Sequence, residues 1–357
     1  MKNKTILLLT AVAALAFGCN SCNKNKPEAS LSISPEAGTS YKQGQEVAVK
    51  LSYPADTKPD SIVYLLDSTR FASKKDSSAV TLKTDTMPLG PRAITAKLYQ
   101  GGKSQDVSTN IVLLAAKAPE LYTYKVEKIY PHDTSSYTEG LLYQDGYLYE
   151  STGTKGQSTL RKVNLSTGKA VQVAKLDSQY FGEGSAIIGN KILMLTWKDP
   201  KVALVYDKNT FKLLGPPQPN NVGVEGWGMT NDGKKLYMDD STNRIWFLDQ
   251  HTYRSIGFVD VYDDKGGIDS INELEYVDGK IYANVYTKDY ILMIDPKTGT
   301  VLQKIDMSNL WPVSQRPADY DDNNNVLNGI AWDAQGKRMF VTGKKWPHLY
   351  QVKFVKK

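Results

Sequence analysis

Between Thr138 and Gly343 one short pattern occurs five times, and that recurrence limits the possible folds more than any other feature. The copies read Glu139-Gly140-Leu-Leu-Tyr, Glu183-Gly184-Ser-Ala-Ile, Glu225-Gly226-Trp-Gly-Met, Asn272-Glu273-Leu-Glu-Tyr and Asn328-Gly329-Ile-Ala-Trp. They lie 44, 42, 47 and 56 residues apart. Each runs through a turn into a second apolar stretch, such as Tyr147-Leu-Tyr-Glu-Ser or Lys191-Ile-Leu-Met-Leu. A repeat of this length built only of strands predicts a propeller blade, and five copies predict five blades. A Glu or Asn then opens the innermost strand of every blade. The symmetry brings five polar side chains together near the central axis, where a site is expected.

A second recurring feature is a strand that ends in Asp or Asn before a tight turn, as in Asn164-Leu-Ser-Thr-Gly168, Asp207-Lys-Asn-Thr210, Asp249-Gln-His-Thr252 and Asp295-Pro-Lys-Thr-Gly299. This is turn chemistry, assigned to the connection between third and fourth strands. The alternating run Leu121–Tyr130 precedes the first copy. It is expected to join the C-terminal residues 338–355 in one blade and so close the ring, hiding sheet edges that would otherwise be exposed.

Upstream of the repeats the chain changes character. Lys2 and Lys4 precede an apolar run, Ile6 to Phe17, too short to span a bilayer comfortably. Residues 1–18 read as a signal peptide. Small residues followed by Cys19 resemble a bacterial lipobox, so lipidation at Cys19 and attachment to the cell envelope, in the periplasm or at the outer membrane, are expected. The protein would be anchored and not spanning. Cys19 and Cys22 are the only cysteines. Their CxxC spacing falls in a junction without folded context, so neither a redox site nor a metal site is inferred. Residues 19–29 read as a tether. Residues 30–117 alternate short β-like runs with turn clusters, which suggests a small immunoglobulin-like β-sandwich with a spacer or packing role. Residues 119–357 form the repeat domain. The formal charge of +6 falls to +4 without Lys2 and Lys4, too weak and scattered to argue for nucleic acid.

Much chemistry is excluded. His132, His251 and His348 are far apart in the chain and suggest no zinc site. No Gly-x-Ser-x-Gly elbow and no phosphate loop of the Walker type occurs. The run Asp319–Asn325 has neither the glycine nor the glutamate of a calcium loop and reads as a solvated loop. What remains is carboxylates, amides, tryptophans and a lysine. Glu139, Glu183, Glu225 and Glu273 would crowd like charges near one channel mouth. Such crowding keeps a carboxylic acid protonated near neutral pH for proton transfer. Trp197, Trp227 and Tyr286 fit either a core or the wall of a small pocket.

Several runs together resemble one family. They are Tyr130-Pro-His-Asp133, Tyr137-Thr-Glu-Gly-Leu141, Glu150-Ser-Thr-Gly153, Phe181-Gly-Glu-Gly184, Leu195-Thr-Trp197, Glu225-Gly-Trp-Gly228, Asn272-Glu-Leu-Glu-Tyr276, Ile281-Tyr-Ala-Asn-Val285, Leu327-Asn-Gly329 and Val341-Thr-Gly-Lys344 with Trp346-Pro347. Over residues 120–355 the chain is similar to the plant-type glutaminyl-peptide cyclotransferases, which are also found in bacteria. The resemblance implies an all-β, five-bladed propeller. It implies cyclisation of an N-terminal glutamine of a peptide or protein to pyroglutamate with loss of ammonia, using neither metal nor other cofactor. It assigns the proton-carrying carboxyl to Glu183 and oxyanion stabilisation to Asn272 and Lys344. Trp197 and Trp227 line the substrate pocket, with Glu139, Glu225, Tyr286 and Asn328 as further substrate-binding positions. Two positions depart from the family: Glu139 stands where Gln is common, adding a charge to the mouth, and Tyr286 where Trp is common. A non-catalytic binding propeller and a lactonase-like enzyme with an axial metal are the competing readings.

Overall fold

The computed structural model describes residues 31–198 and 200–357. The expected signal peptide, Cys19 and the tether lie outside the described residues. Among the described residues the fold is all-β, with one short 3-10 turn at Val313–Gln315.

Residues 32–114 form two sheets, one of three strands and one of five. Alternating residues of both, including Val47, Val49, Leu51, Ile62, Ile94, Ala96 and Ile111, meet in one core. This is the period-two burial expected of half-buried strands. The pair of sheets is tied to the rest of the chain. Leu89 N–H donates to Thr298 O (2.8 Å) and Ala115 N–H to Asp263 O (3.0 Å), while Tyr262 packs against the core.

Residues 120–356 form three four-stranded sheets and one of eight strands. The large sheet consists of two four-stranded meanders. They are joined where Val301–Asp306 runs parallel to the start of Glu120–Pro131. Glu120–Pro131 also pairs along its length with His348–Lys356. The N-terminal strand therefore completes the C-terminal meander, as the alternation of residues 121–130 predicts. The innermost strands, Thr138–Gln144, Gly182–Ile188, Met229–Asn231, Ile271–Val277 and Leu327–Asp333, neighbour one another in a closed cycle. Apolar clusters fill the wedges between successive sheets.

The expected turns are present. The side-chain oxygens of Asn164, Asp207 and Asp249 each accept the backbone N–H groups two and three residues ahead, at 2.8–3.1 Å.

One register differs from the repeat alignment. In four innermost strands the pairing with the second strand slips at the same place: between Thr138 and Gly140, Gly182 and Ser185, Ile271 and Leu274, and Leu327 and Ile330. A bulge of this kind re-aims one side chain. It turns Glu139, Glu183, Asn272 and Asn328 out of the sheet alternation. In the third sheet the equivalent residue is Trp227, not Glu225. The reason is close approach. A Cβ on Gly184 would lie 2.5 Å from Trp227 O and one on Gly228 2.2 Å from Asn272 O, so Gly228, and not Gly226, carries the close contact. Glu225 occupies the place of Tyr137 and Phe181, two residues earlier. The order aromatic-x-Glu of the first two copies is inverted to Glu225-x-Trp227. The axial ring therefore gathers four polar side chains and one indole, not five polar groups.

Candidate active site

The bulged ends of the innermost strands and the ends of the second strands enclose a cavity of about 240 Å³. It is lined by Tyr137, Glu139, Phe181, Glu183, Trp197, Trp227, Asn272, Tyr286, Asn324 and Lys344. A larger depression, about 520 Å³, lies at the opposite ends of the same strands, among the turns Tyr143–Gly146 and Trp332–Gly336. Turn residues line it and no set of reactive groups converges there. The ionisable and amide groups converge instead on the smaller cavity.

Its walls are aromatic. Phe181 packs against Tyr137 and Trp197, with ring centroids 6.2 and 5.6 Å apart, and Trp227 packs edge-on against Tyr286 at 5.8 Å. Its polar groups are Glu183, Glu139, Asn272 and Lys344, all buried. Lys344 Nζ donates to Glu139 Oε2 at 2.6 Å, and lies 4.6 and 5.4 Å from the ring centres of Tyr137 and Tyr286. The positive charge facing the carboxyl groups is thus an ammonium, and it meets the charge that Glu139 was expected to add to the mouth.

Burial acts on both acids. It raises Glu183 well above the ordinary carboxylate range, and the charges of Glu139, Asp239 and Glu225 add to the effect, while Lys344 opposes it. Burial also raises Glu139, but the Lys344 ammonium works directly against that. Burial and like charge therefore favour the neutral form of Glu183, and Glu139 is the carboxyl that the cation serves. The Oδ1 atom of Asn272 is buried without a hydrogen-bond partner among the described residues.

Two expected substrate-binding residues stand behind the walls. Glu225 does not line the cavity. Its Oε2 accepts the indole N–H of Trp227 at 2.8 Å and that of Trp197, and its Oε1 accepts from Lys198 at 3.0 Å. It ties together two indoles from neighbouring sheets. Asn328 is fully buried and donates from Nδ2 to Thr138 O (2.9 Å) and Glu139 Oε2 (3.4 Å), bracing the strand that carries Glu139.

Sequence reasoning missed Tyr137, Phe181 and Asn324. The first two had a signal: an aromatic two residues before the glutamate in both copies. Asn324 had none, because it belongs to the Asp/Asn run read as a solvated loop. That run is largely exposed, yet its tip reaches the cavity.

Glu273 has a different task. It stands where the other four copies have Gly140, Gly184, Gly228 and Gly329. Its carboxyl reaches across to accept Leu141 N–H (3.1 Å) from the first sheet and Ile330 N–H (2.8 Å) from the other meander of its own eight-stranded sheet.

A family model described as glutamine cyclotransferase matches residues 95–354. The chain belongs to the glutamine cyclotransferase family. The match begins inside the strand Gly90–Gln100, upstream of the expected domain boundary near residue 118. The glutaminyl-peptide cyclotransferase of Arabidopsis thaliana is 38% identical over 229 residues, which are 63% of this chain and 69% of the plant protein. The crystal structure of Myxococcus xanthus glutaminyl cyclase superposes with a TM-score of 0.61 at 31% identity, covering 67% of this chain and 99% of that one. The part of this chain without a counterpart in the Myxococcus xanthus structure is about as large as residues 31–117 together with the undescribed N-terminus.

Proposed function

We propose that this chain cyclises the N-terminal glutamine of peptides or proteins to pyroglutamate and releases ammonia. The observation that carries the reading is the convergence of a neutral acid (Glu183), an amide (Asn272) and an ammonium (Lys344) in one aromatic-walled cavity of a size suited to a single side chain.

The reaction is intramolecular. The α-amino nitrogen attacks the side-chain amide carbon, forming the ring C–N bond as the carbonyl electron pair moves to oxygen. Holding the glutamine folded against the aromatic walls supplies the near-attack geometry. Asn272 and Lys344 are the donors suited to the oxygen as charge develops on it. The protonated Glu183 gives its proton to the departing nitrogen and takes one from the attacking nitrogen, so the carboxyl ends the cycle as it began it. The carbon–nitrogen bond to the amide then breaks and ammonia leaves. A free amine beside a protonated Glu183 holds as many protons as an ammonium beside a carboxylate, so either pairing enters the same path. A raised pKa suits this exchange because the group must both take and give the proton near neutral pH.

The architecture that supports this reading is a five-bladed β-propeller over residues 119–357, preceded by an immunoglobulin-like β-sandwich over residues 30–117. The closed cycle of innermost strands and the shared core of the two N-terminal sheets favour it. Attachment to the cell envelope through a lipid on Cys19 completes the proposal; it rests on the sequence before residue 20.

The test is ammonia release from a Gln-initiated dipeptide. The purified protein turns the substrate over, with and without a chelator. Glu183→Gln lowers kcat/KM by at least about a hundredfold while the thermal midpoint stays nearly unchanged. Turnover undiminished in that variant would refute the role given to Glu183.

A further inference from the structure

The fourth and fifth copies of the repeat are separated by 56 residues, more than any other pair, and the structure shows where the extra chain goes. Residues 307–326 join Val301–Asp306 to Leu327–Asp333, whereas residues 176–181 and 261–270 make the equivalent joins in the first and third sheets. The extra length is not loose. Leu310 and Trp311 are buried. The Trp311 ring packs against Tyr320 and Trp346, with centroids 4.8 and 5.6 Å apart. Arg316 donates twice to Trp311 O. Tyr320 Oη and Trp346 Nε1 both donate to Asn325 O, at 2.5 and 3.0 Å. Lys344 N–H donates to Val326 O at 2.9 Å, so the end of the insertion is bonded to the backbone of the residue whose ammonium faces the acids.

Asn324 is the insertion's contribution to the cavity. It is exposed, and it is oriented. Its backbone N–H and its Nδ2 both donate to the Asp321 carboxylate, at 3.2 and 2.7 Å. With Nδ2 held, the side-chain amide leaves Oδ1 as a free acceptor; no described group donates to it. A glutamine side chain fills the aromatic cavity, so the rest of a peptide substrate leaves past the rim. The first donor it presents there is the N–H of the peptide bond after the glutamine.

We propose that Asn324 Oδ1 accepts that N–H, so that the insertion makes the enzyme select a peptide bond at the α-carboxyl side of the glutamine. The inference rests on the cyclotransferase reading and adds a determinant of specificity to it. The glutamine itself is gripped by the cavity, and the main chain that follows is recognised by one acceptor held by Asp321.

The experiment compares two substrates that differ in that one donor: glutamine N-methylamide, which has the N–H, and glutamine methyl ester, which does not. The ratio of their kcat/KM values is measured for the unaltered protein and for Asn324→Ala. Loss of one hydrogen bond is expected to lower the amide-to-ester ratio roughly three- to tenfold, through KM more than kcat. A loop that was merely disturbed would slow both substrates alike and leave the ratio where it was. An unchanged ratio, with both compounds turned over, overturns the assignment of Asn324 and leaves the proposed reaction intact. Absence of turnover with either compound in the unaltered protein overturns both.

Discussion

Glu139 Oε2 and Lys344 Nζ stand 2.6 Å apart, buried, joining the innermost strand of the first sheet to the residue that follows the strand Arg338–Gly343. This ion pair bridges the seam at which the ring of sheets closes, and it sits in the wall of the aromatic-lined cavity. The Glu139 charge has two effects: it holds the ammonium in place and it raises Glu183.

Glu139→Gln separates those effects. The amide oxygen still accepts from Lys344, but the negative charge is gone. Removing a charge that raises Glu183 must lower the Glu183 pKa, so the limb of the kcat/KM profile governed by Glu183 moves to lower pH. A pH–rate profile of the variant beside the unaltered protein checks this; a limb that stays in place or moves upward contradicts it.

Glu225 lies outside the cavity and holds the two indoles that wall it. In Glu225→Ala both indole N–H groups lose a charged acceptor, a contribution of about 1.5–3 kcal/mol per bond in favourable settings and less at this partly exposed site. KM is expected to rise about tenfold with a smaller change in kcat. Tryptophan emission should shift as Trp197 and Trp227 lose their common partner. A change confined to kcat, with emission unaltered, would speak against a positioning role.

Glu273 satisfies two backbone N–H groups that face the axis and have no partner in their own sheets. Glu273→Ala leaves Leu141 N–H and Ile330 N–H buried and unpaired, at about 1–3 kcal/mol each. Denaturant unfolding should show a loss of about 2–6 kcal/mol. Glu273→Gln should lose less, because its amide oxygen still serves one of the two.

Stability should fall as pH rises from about 5 to 8, the reverse of the trend set by surface ion pairs. Burial raises Glu183, Asp239 and Glu273 well above their ordinary values and pushes Glu275 up to about 8. A carboxyl raised on folding contributes fully below its unfolded value, about 4. That contribution is lost as pH climbs to the folded value. His132 acts in the same direction. Burial would lower it, but Glu150, accepting at 3.0 Å, and Trp346 O, at 2.7 Å from Nδ1, hold it above the ordinary imidazole range. Its contribution is complete below about 6.5 and lost through the higher folded value. Glu150 is depressed by His132 and its hydroxyl donors against the effect of burial, so it contributes above about 4.3 and is lost only in stronger acid. Denaturant midpoints at pH 5, 6.5 and 8 check the trend, and Glu275→Gln should flatten it.

The sequence alone determined the all-β class, the repeated unit, the strand that closes the ring and most of the cavity. Glu139, Glu183, Trp197, Trp227, Asn272, Tyr286 and Lys344, which line one cavity, were all legible in the sequence, because strand periodicity and the family's motifs are local and survive in one dimension. The third copy was misregistered for the same reason. Glu225-Gly226 and Trp227-Gly228 fit the pattern equally well as strings, and only the contact of Gly228 with Asn272 O chooses between them. Partnerships were beyond the string altogether. That Glu139 meets Lys344, that Glu225 joins two indoles, and that Asn324 reaches the rim from a polar loop depend on residues up to 205 positions apart being brought together. Local propensity records how a segment sits in its own sheet. Which charge faces which, and therefore which acid stays neutral, is decided by burial and distance, and those exist only once the sheets have closed around the axis.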